Sequence, residues 1–208
     1  MEKPATLGRD DPPLAADYQA DDATLIARSR AEPEAFAAIF DRHATGIHRY
    51  AARRLGPGPA EDVVGETFLV AFRRRDRYDL SRPDAGPWLF GIATNMISRH
   101  RQAEVRLYRA LARTGVDAAV ESPADEVVDR VAATSQRRVI GAALARLKPA
   151  DRDTVLLVDW AELSYDQAAL ALDVPVGTVR SRLNRARRKI RAALDDINPI
   201  SPEEHSHD

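Results

Sequence analysis

The residues best suited to chemistry in this chain are cations spread along one face of a helix. Residues 176–194 carry seven bases and no acid. Within them Val179, Leu183, Ala186, Ile190 and Leu194 recur at spacings of four, three, four and four, which lines them up on one apolar stripe. The other face shows Thr178, Arg180, Ser181, Asn184, Arg185, Arg187, Arg188 and Arg191. Arginine can fork onto guanine or phosphate and asparagine can pair with adenine, so this face suits a major groove. Just upstream, Ser164 can cap a short helix bearing Ala168, Ala169 and Leu172, and Asp173 to Val176 supply a turn. Gly177-Thr178 then open the longer helix, whose first free amides suit a phosphate. Two short helices joined by a tight turn make a helix-turn-helix, a DNA-binding pattern.

Other groupings are weaker. Asp62 and Glu66, four apart, share a helix face away from Phe68 and Phe72. His43 and His48 are five apart, a poor spacing for a metal on a helix, and His205-Ser206-His207 lie in an acidic terminus. No glycine-rich phosphate loop, nucleophile elbow or H-E-x-x-H occurs. These observations give no support to an enzyme, a cofactor or a metal centre. The chain has no cysteine, which excludes disulfides and thiolate-bound zinc. No stretch approaches the roughly 20 apolar residues that span a bilayer, and residues 1–20 lack the apolar core of a signal peptide. A cytoplasmic location is expected.

The elements that must hold these residues are helical. A pattern starts near Asp22, read as an N-cap, and breaks at Glu32-Pro33. A second follows from Pro33 with Phe36, Ile39, Phe40, His43 and Ile47 on one face. Gly56-Pro57-Gly58-Pro59 reads as a hard stop. A third helix is expected from about Ala60 to Arg75 and a fourth from Trp88 to Arg106, separated by a loop from Tyr78 to Pro87. Periodicity fades over 107–133 and returns at Val139, Ala143, Leu144 and Leu147. The expected fold is all-α, two small helical domains joined by a flexible linker. The expected segments are a disordered tail (1–21), a first domain (22–106), a linker (107–133), a second domain (134–196) and a flexible acidic tail (197–208).

Charge supports this division. The net charge of −1 is a cancellation between blocks. Residues 1–25 carry six acids and two bases, and residues 117–130 carry five acids and one. Residues 88–113 carry five arginines against Glu104, and residues 195–208 carry five acids and no base. Basic blocks are what phosphate contact requires.

Three motifs in order, AEDVVGETFLVAF (60–72), WLFGIATN (88–95) and GTVRSRLNRAR (177–187), resemble an extracytoplasmic-function sigma factor of the bacterial sigma-70 superfamily. The resemblance covers about residues 22–106 and 134–195. It implies a first domain that docks on the coiled-coil clamp of the β′ subunit of core RNA polymerase through Asp62, Glu66, Leu69 and Arg73. It further implies that Tyr78, Trp88, Asn95, Arg99 and Arg101 serve recognition and melting of the minus-ten element, with Trp88 mainly in the core. The loop before Trp88 would capture an unstacked base. Thr178, Arg180, Ser181, Asn184, Arg185 and Arg188 would read the minus-thirty-five element. Promoter DNA, the β and β′ subunits of polymerase and an anti-sigma factor are the implied partners, with a stress or envelope signal acting through the last.

Three positions depart from the usual pattern: Gly65 for glutamine, Gln167 for glutamate, and Arg99 where aspartate is frequent. The competing reading is a helix-turn-helix regulator that acts without polymerase. Such a protein needs a sensor domain before the motif, and residues 22–106 show no alternation of strands and helices to build a receiver.

Overall fold

Caps and proline rings set most helix boundaries. The computed structural model describes residues 20–115 and 127–195, the side chains of 127–135 excepted. The expected tails fall outside these residues except at 20–21, as does 116–126 of the expected linker. Asp21, not Asp22, caps α1 (Asp22–Arg28), its carboxylate accepting the Thr24 N–H at 2.8 Å. Pro33 opens a 3₁₀ turn (Pro33–Phe36) that runs into α2 (Ala37–Leu55). The Gly-Pro-Gly-Pro run ends one helix and begins the next. Gly56 adopts φ 88°, which favours glycine, and α3 spans Pro57–Arg74 with its proline in the first turn, where no N–H is needed. A 3₁₀ turn (Arg75–Arg77) and the loop to Ala85 precede α4 (Gly86–Arg99).

The single helix expected from Trp88 to Arg106 is two. His100, at φ −97° and ψ 21°, breaks it, and α5 (Arg101–Thr114) turns away. Then come α6 (Val127–Arg146), α7 (Pro149–Asp159), α8 (Tyr165–Leu172) and α9 (Val176–Asp195). Among the described residues the structure is nine α-helices and no strand, as expected. The segment expected as a linker is helical at both ends, because α5 continues to Thr114 and α6 begins at Val127.

The first half, α1–α5, closes on Leu25, Ile26, Ile39, Ile47, Ala51, Leu89 and Ile97, all fully buried. The second half, α6–α9, closes on Leu144, Leu156, Leu157, Ala168, Val179 and Leu183. One continuous apolar cluster runs through both. The halves meet, although the sequence suggested independent bodies. At their junction Arg54 of α2 is 1% exposed. Its Nε donates to Glu104 Oε1 at 2.6 Å, its Nη1 to the Tyr50 hydroxyl at 2.6 Å, and its Nη2 to Asp153 of α7 at 2.5 Å. Arg152 of α7, also 1% exposed, reaches the second Glu104 oxygen at 3.3 Å. Trp160 lies edge-on to Tyr108, centroids 6.4 Å apart, beneath the Arg53 guanidinium. Two glycines carry the closest backbone approaches. A Cβ on Gly91 of α4 would overlap the Ala171 carbonyl oxygen of α8. A Cβ on Gly141 of α6 would lie 2.9 Å from the Tyr108 carbonyl oxygen and the Ala112 nitrogen of α5.

Candidate nucleic-acid interface

The α8–α9 pair is built as its sequence suggests. Ser164 Oγ accepts the Gln167 N–H at 3.2 Å, and the Gln167 side chain accepts the Ser164 N–H at 2.9 Å, a reciprocal cap. Asp173 takes a left-handed conformation, φ 51°, to end α8, and Val174 N–H closes on the Ala169 carbonyl at 3.1 Å. The Pro175 carbonyl accepts the N–H groups of Thr178 and Val179 as α9 begins. Val179, Leu183 and Ala186 are buried, whereas Ile190 and Leu194 are only half-buried as α9 leaves the core.

On the outer face Arg180, Ser181, Asn184 and Arg188 are exposed. Ser181 Oγ donates to the Thr178 carbonyl at 2.9 Å. With Tyr165, Leu183, Arg187 and Arg191, three of these residues line a hollow of about 430 Å³. Two arginines are already engaged. Arg185 donates to buried Asp151 at 2.9 Å, and Arg187 to Asp159 at 2.6 Å. These hydrogen bonds to carboxylates hold both guanidinium groups above their usual pKa, against a small opposing effect of burial. Arg185 therefore faces α7 rather than standing free beside Asn184.

In the first half, Asn95 and Arg99 are exposed on α4, and Arg101 is exposed on α5 across the His100 break. The two phosphate-suited cations thus lie on different helices. Tyr78 is not available to a base. It is buried, its ring packs on Trp88 at 5.0 Å, and its hydroxyl donates to the Arg82 carbonyl at 2.7 Å. Burial, with Asp22 and Asp84 nearby, pushes its phenol well above the usual range. Trp88 is half-buried against it, matching the core assignment. Leu80, at 41% exposure, is the apolar side chain that the loop presents.

The residue that anchors this loop is Asp22, whose importance the sequence hid behind its neighbour. Its buried carboxylate accepts from Arg42 Nη1 at 2.7 Å, His43 Nε2 at 2.6 Å and the Ala85 N–H at 2.9 Å. Burial alone would raise its pKa. The hydrogen bonds from His43, Ala85 and Arg42 win, and it falls from 3.8 to about 2. Asp84 Oδ1 accepts the Gly86 N–H at 2.7 Å, and Oδ2 accepts from Gln167 of α8 at 3.1 Å. Asp22, His43 and Asp84 place their ligand atoms within 4.8 Å of one another. With Arg42 and three further N–H donors already on their oxygens, the trio works as a loop clamp.

The third surface is on α3. Asp62, Glu66 and Arg73 are exposed, and Leu69 is 48% exposed. Phe40 of α2, read on the apolar face of its helix, is 45% exposed and leans edge-on against Phe68, centroids 4.8 Å apart. Helical spacing alone does not separate a core phenylalanine from one at the margin. Glu66 also lies 4.0 Å from Arg99. Gly65 sits on the open side of α3, with nothing within 4 Å of where a Cβ would be.

Comparison with known proteins places these surfaces on matched regions. The family described as "Sigma-70 region 2" matches residues 39–114, and "Sigma-70, region 4" matches residues 137–190. The chain is 34% identical over 177 residues to "ECF RNA polymerase sigma factor SigL" of Mycobacterium tuberculosis, covering 84% of this chain and 97% of that one. It is 30% identical over 175 residues to "ECF RNA polymerase sigma factor SigW" of Bacillus subtilis, covering 81% and 93%. Among solved structures it resembles CnrH in complex with the cytosolic domain of CnrY, with TM-score 0.57 and 25% identity, covering 84% and 97%. No helix among the described residues is long and apolar enough to cross a membrane.

Proposed function

Since the chain belongs to the extracytoplasmic-function sigma factors of the sigma-70 family, we propose how its surfaces divide the work of starting transcription. The protein is a sigma factor that binds core RNA polymerase and directs promoter recognition and melting. Asp62 and Glu66, with Leu69 and the neighbouring Phe40, form an acidic and apolar face for the β′ clamp, and Arg73 borders it. Asn95 and Arg99 of α4 contact the minus-ten element, and Arg101 of α5 holds its backbone. The loop closed by Asp22 captures an unstacked base. Tyr78 and Trp88 shape that loop from inside.

Arg180, Ser181 and Asn184 stand near the N-terminal half of α9, the end that enters a major groove, and read the minus-thirty-five element. Thr178 and Arg188 meet phosphate. Arg185 brings its partner Asp151 with it to the DNA. The observation that carries this reading is α9 itself: a buried stripe behind, and exposed arginines and asparagine in front.

The protein works in the cytoplasm without catalysis or cofactor, and polymerase performs the chemistry. An anti-sigma factor holds it inactive by covering the docking and DNA-reading faces. Run-off transcription with purified core polymerase, on the promoter upstream of the protein's own operon, tests the reading. Transcript that requires both proteins supports it. Tight sequence-specific binding to duplex without core, and no transcript with it, would favour a conventional regulator.

A further inference from the structure

Two arginines of α9 are held by carboxylates of α7, and the two partners differ in burial. The Asp159 side chain is 39% exposed, whereas that of Asp151, in the first turn of α7, is 3% exposed. Asp159 can turn to water when Arg187 leaves, so that pair binds loosely. Asp151 cannot. Its Oδ1 accepts Arg185 Nη2 at 2.9 Å and its Oδ2 faces Nε at 3.4 Å. Among the described residues its carboxylate has no other hydrogen-bond donor. Withdrawing Arg185 would strand a buried charge, so the pair stays closed.

The contact leaves a defined part of the guanidinium unused. Arginine carries its N–H donors in a planar fork. Asp151 occupies the side edge, made by Nε and Nη2. The end edge, made by Nη1 and the second Nη2 hydrogen, keeps two parallel donors. The Arg185 side chain is 48% exposed. The residue closes the N-terminal half of α9 (Val176–Asp195), one turn beyond Ser181 on the same face. That half enters a major groove, where two parallel donors match O6 and N7 of guanine. A phosphate is the poorer target. It bears a full negative charge and is repelled by the carboxylate behind the guanidinium, whereas the neutral guanine edge is repelled far less. Fixing the fork beforehand also removes rotamer freedom that binding would otherwise have to freeze.

We propose that Asp151 is a positioning residue for DNA reading: from α7 it grips the side edge of the Arg185 guanidinium and presents the end edge to a guanine of the minus-thirty-five element. The inference rests on α9 reading that element, and the two fail in different ways. Holoenzyme, assembled from core polymerase and the full chain, transcribes a promoter library in which each position of the element carries each base in turn. Wild type is expected to prefer guanine at one position by about five- to a hundredfold. Arg185→Ala should erase that preference. Asp151→Asn keeps the side-chain shape and removes its charge. It should lower the preference at least about threefold, with helix content by circular dichroism unchanged. Asp151→Ser, smaller and neutral, takes its place if the asparagine variant does not fold. Combining the change at 151 with Arg185→Ala should add nothing to Arg185→Ala alone, since Asp151 acts through Arg185. Arg185→Lys, at an exposed site, keeps the charge but loses the fork, and should lose the preference too.

An unchanged guanine preference in the folded variant at 151 overturns the proposal. So does Arg185→Ala weakening every promoter alike, Arg185→Lys retaining the preference, or a double variant less selective than Arg185→Ala. If wild type gives no transcript with core but binds the same duplexes sequence-specifically without it, the sigma reading falls instead. The same set of variants, compared on duplex binding, then decides the role of Asp151.

Discussion

Replacing Asp22 with asparagine tests whether one carboxylate fixes the loop before Trp88. The carboxylate faces three donors from Arg42, His43 and Ala85. An amide offers one acceptor oxygen and turns an NH₂ toward at least one of them. Losing a charge-assisted bond while stranding a buried donor costs about 2–3 kcal/mol, or about 5–10 °C in Tm for a chain of this size. The pH dependence is more diagnostic. Asp22 falls from 3.8 to about 2 on folding, so between those values the unfolded chain binds more protons. Its contribution is complete above the unfolded value and disappears as pH falls through about 2. Allowing for screening at the partly exposed partners, this amounts to about 1–2 kcal/mol. Urea denaturation at a series of pH values should show that slope in the wild type and a shallower one in Asp22→Asn. At neutral pH the variant should still bind core polymerase but melt promoter DNA poorly, seen as weaker permanganate reactivity of unpaired thymines. Equal midpoints at pH 7, or parallel pH slopes, would refute the clamp.

Asp62→Lys combined with Glu66→Lys should abolish association with core polymerase in a native gel while leaving the circular dichroism spectrum unchanged. Undiminished association would place the docking face elsewhere. Gly65→Ala should stabilise the protein by about 0.5–1 kcal/mol in denaturant titration, since the position is open and mid-helix. A loss of stability there would show that α3 is packed differently. Asn184→Ala should relax discrimination at one or two promoter positions at a cost of about 1–3 kcal/mol. Arg188→Ala should instead weaken all promoters alike in a point-substituted library. The reverse pattern would invert the orientation of α9 on DNA.

Much of this architecture is legible in the residues. The four-three spacing from Val179 through Ala186, the Ser164 cap and the Asp173 turn identify the helix-turn-helix because local preferences and burial agree. Other features are hidden for definable reasons. Pro57 reads as a breaker, although a first-turn proline also starts a helix. His100 ends α4 with no glycine or proline to mark the break. Asp21 and Asp22 are equally good caps on paper, and only the position of Arg42, His43 and Ala85 shows which carboxylate is buried. The junction is the least visible, since Arg54 and Arg152 look like surface charges until their partners arrive from 50 and 48 residues away at Glu104. Tertiary pairing of that kind leaves no local period.

The engagement of Arg185 by Asp151 and of Arg187 by Asp159 changes how this protein should respond to ionic strength. A free arginine approaching a phosphate displaces a condensed cation from the DNA, and each such exchange adds nearly one unit to the logarithmic salt slope. These two arginines bring protein carboxylates with them, 2.9 Å and 2.6 Å away. A guanidinium shared between carboxylate and phosphate neutralises less of the backbone and frees fewer ions. The seven bases of residues 176–194 therefore overstate the ion release from this helix, and its grip on DNA should fade more gently with salt than a tally of its cations implies.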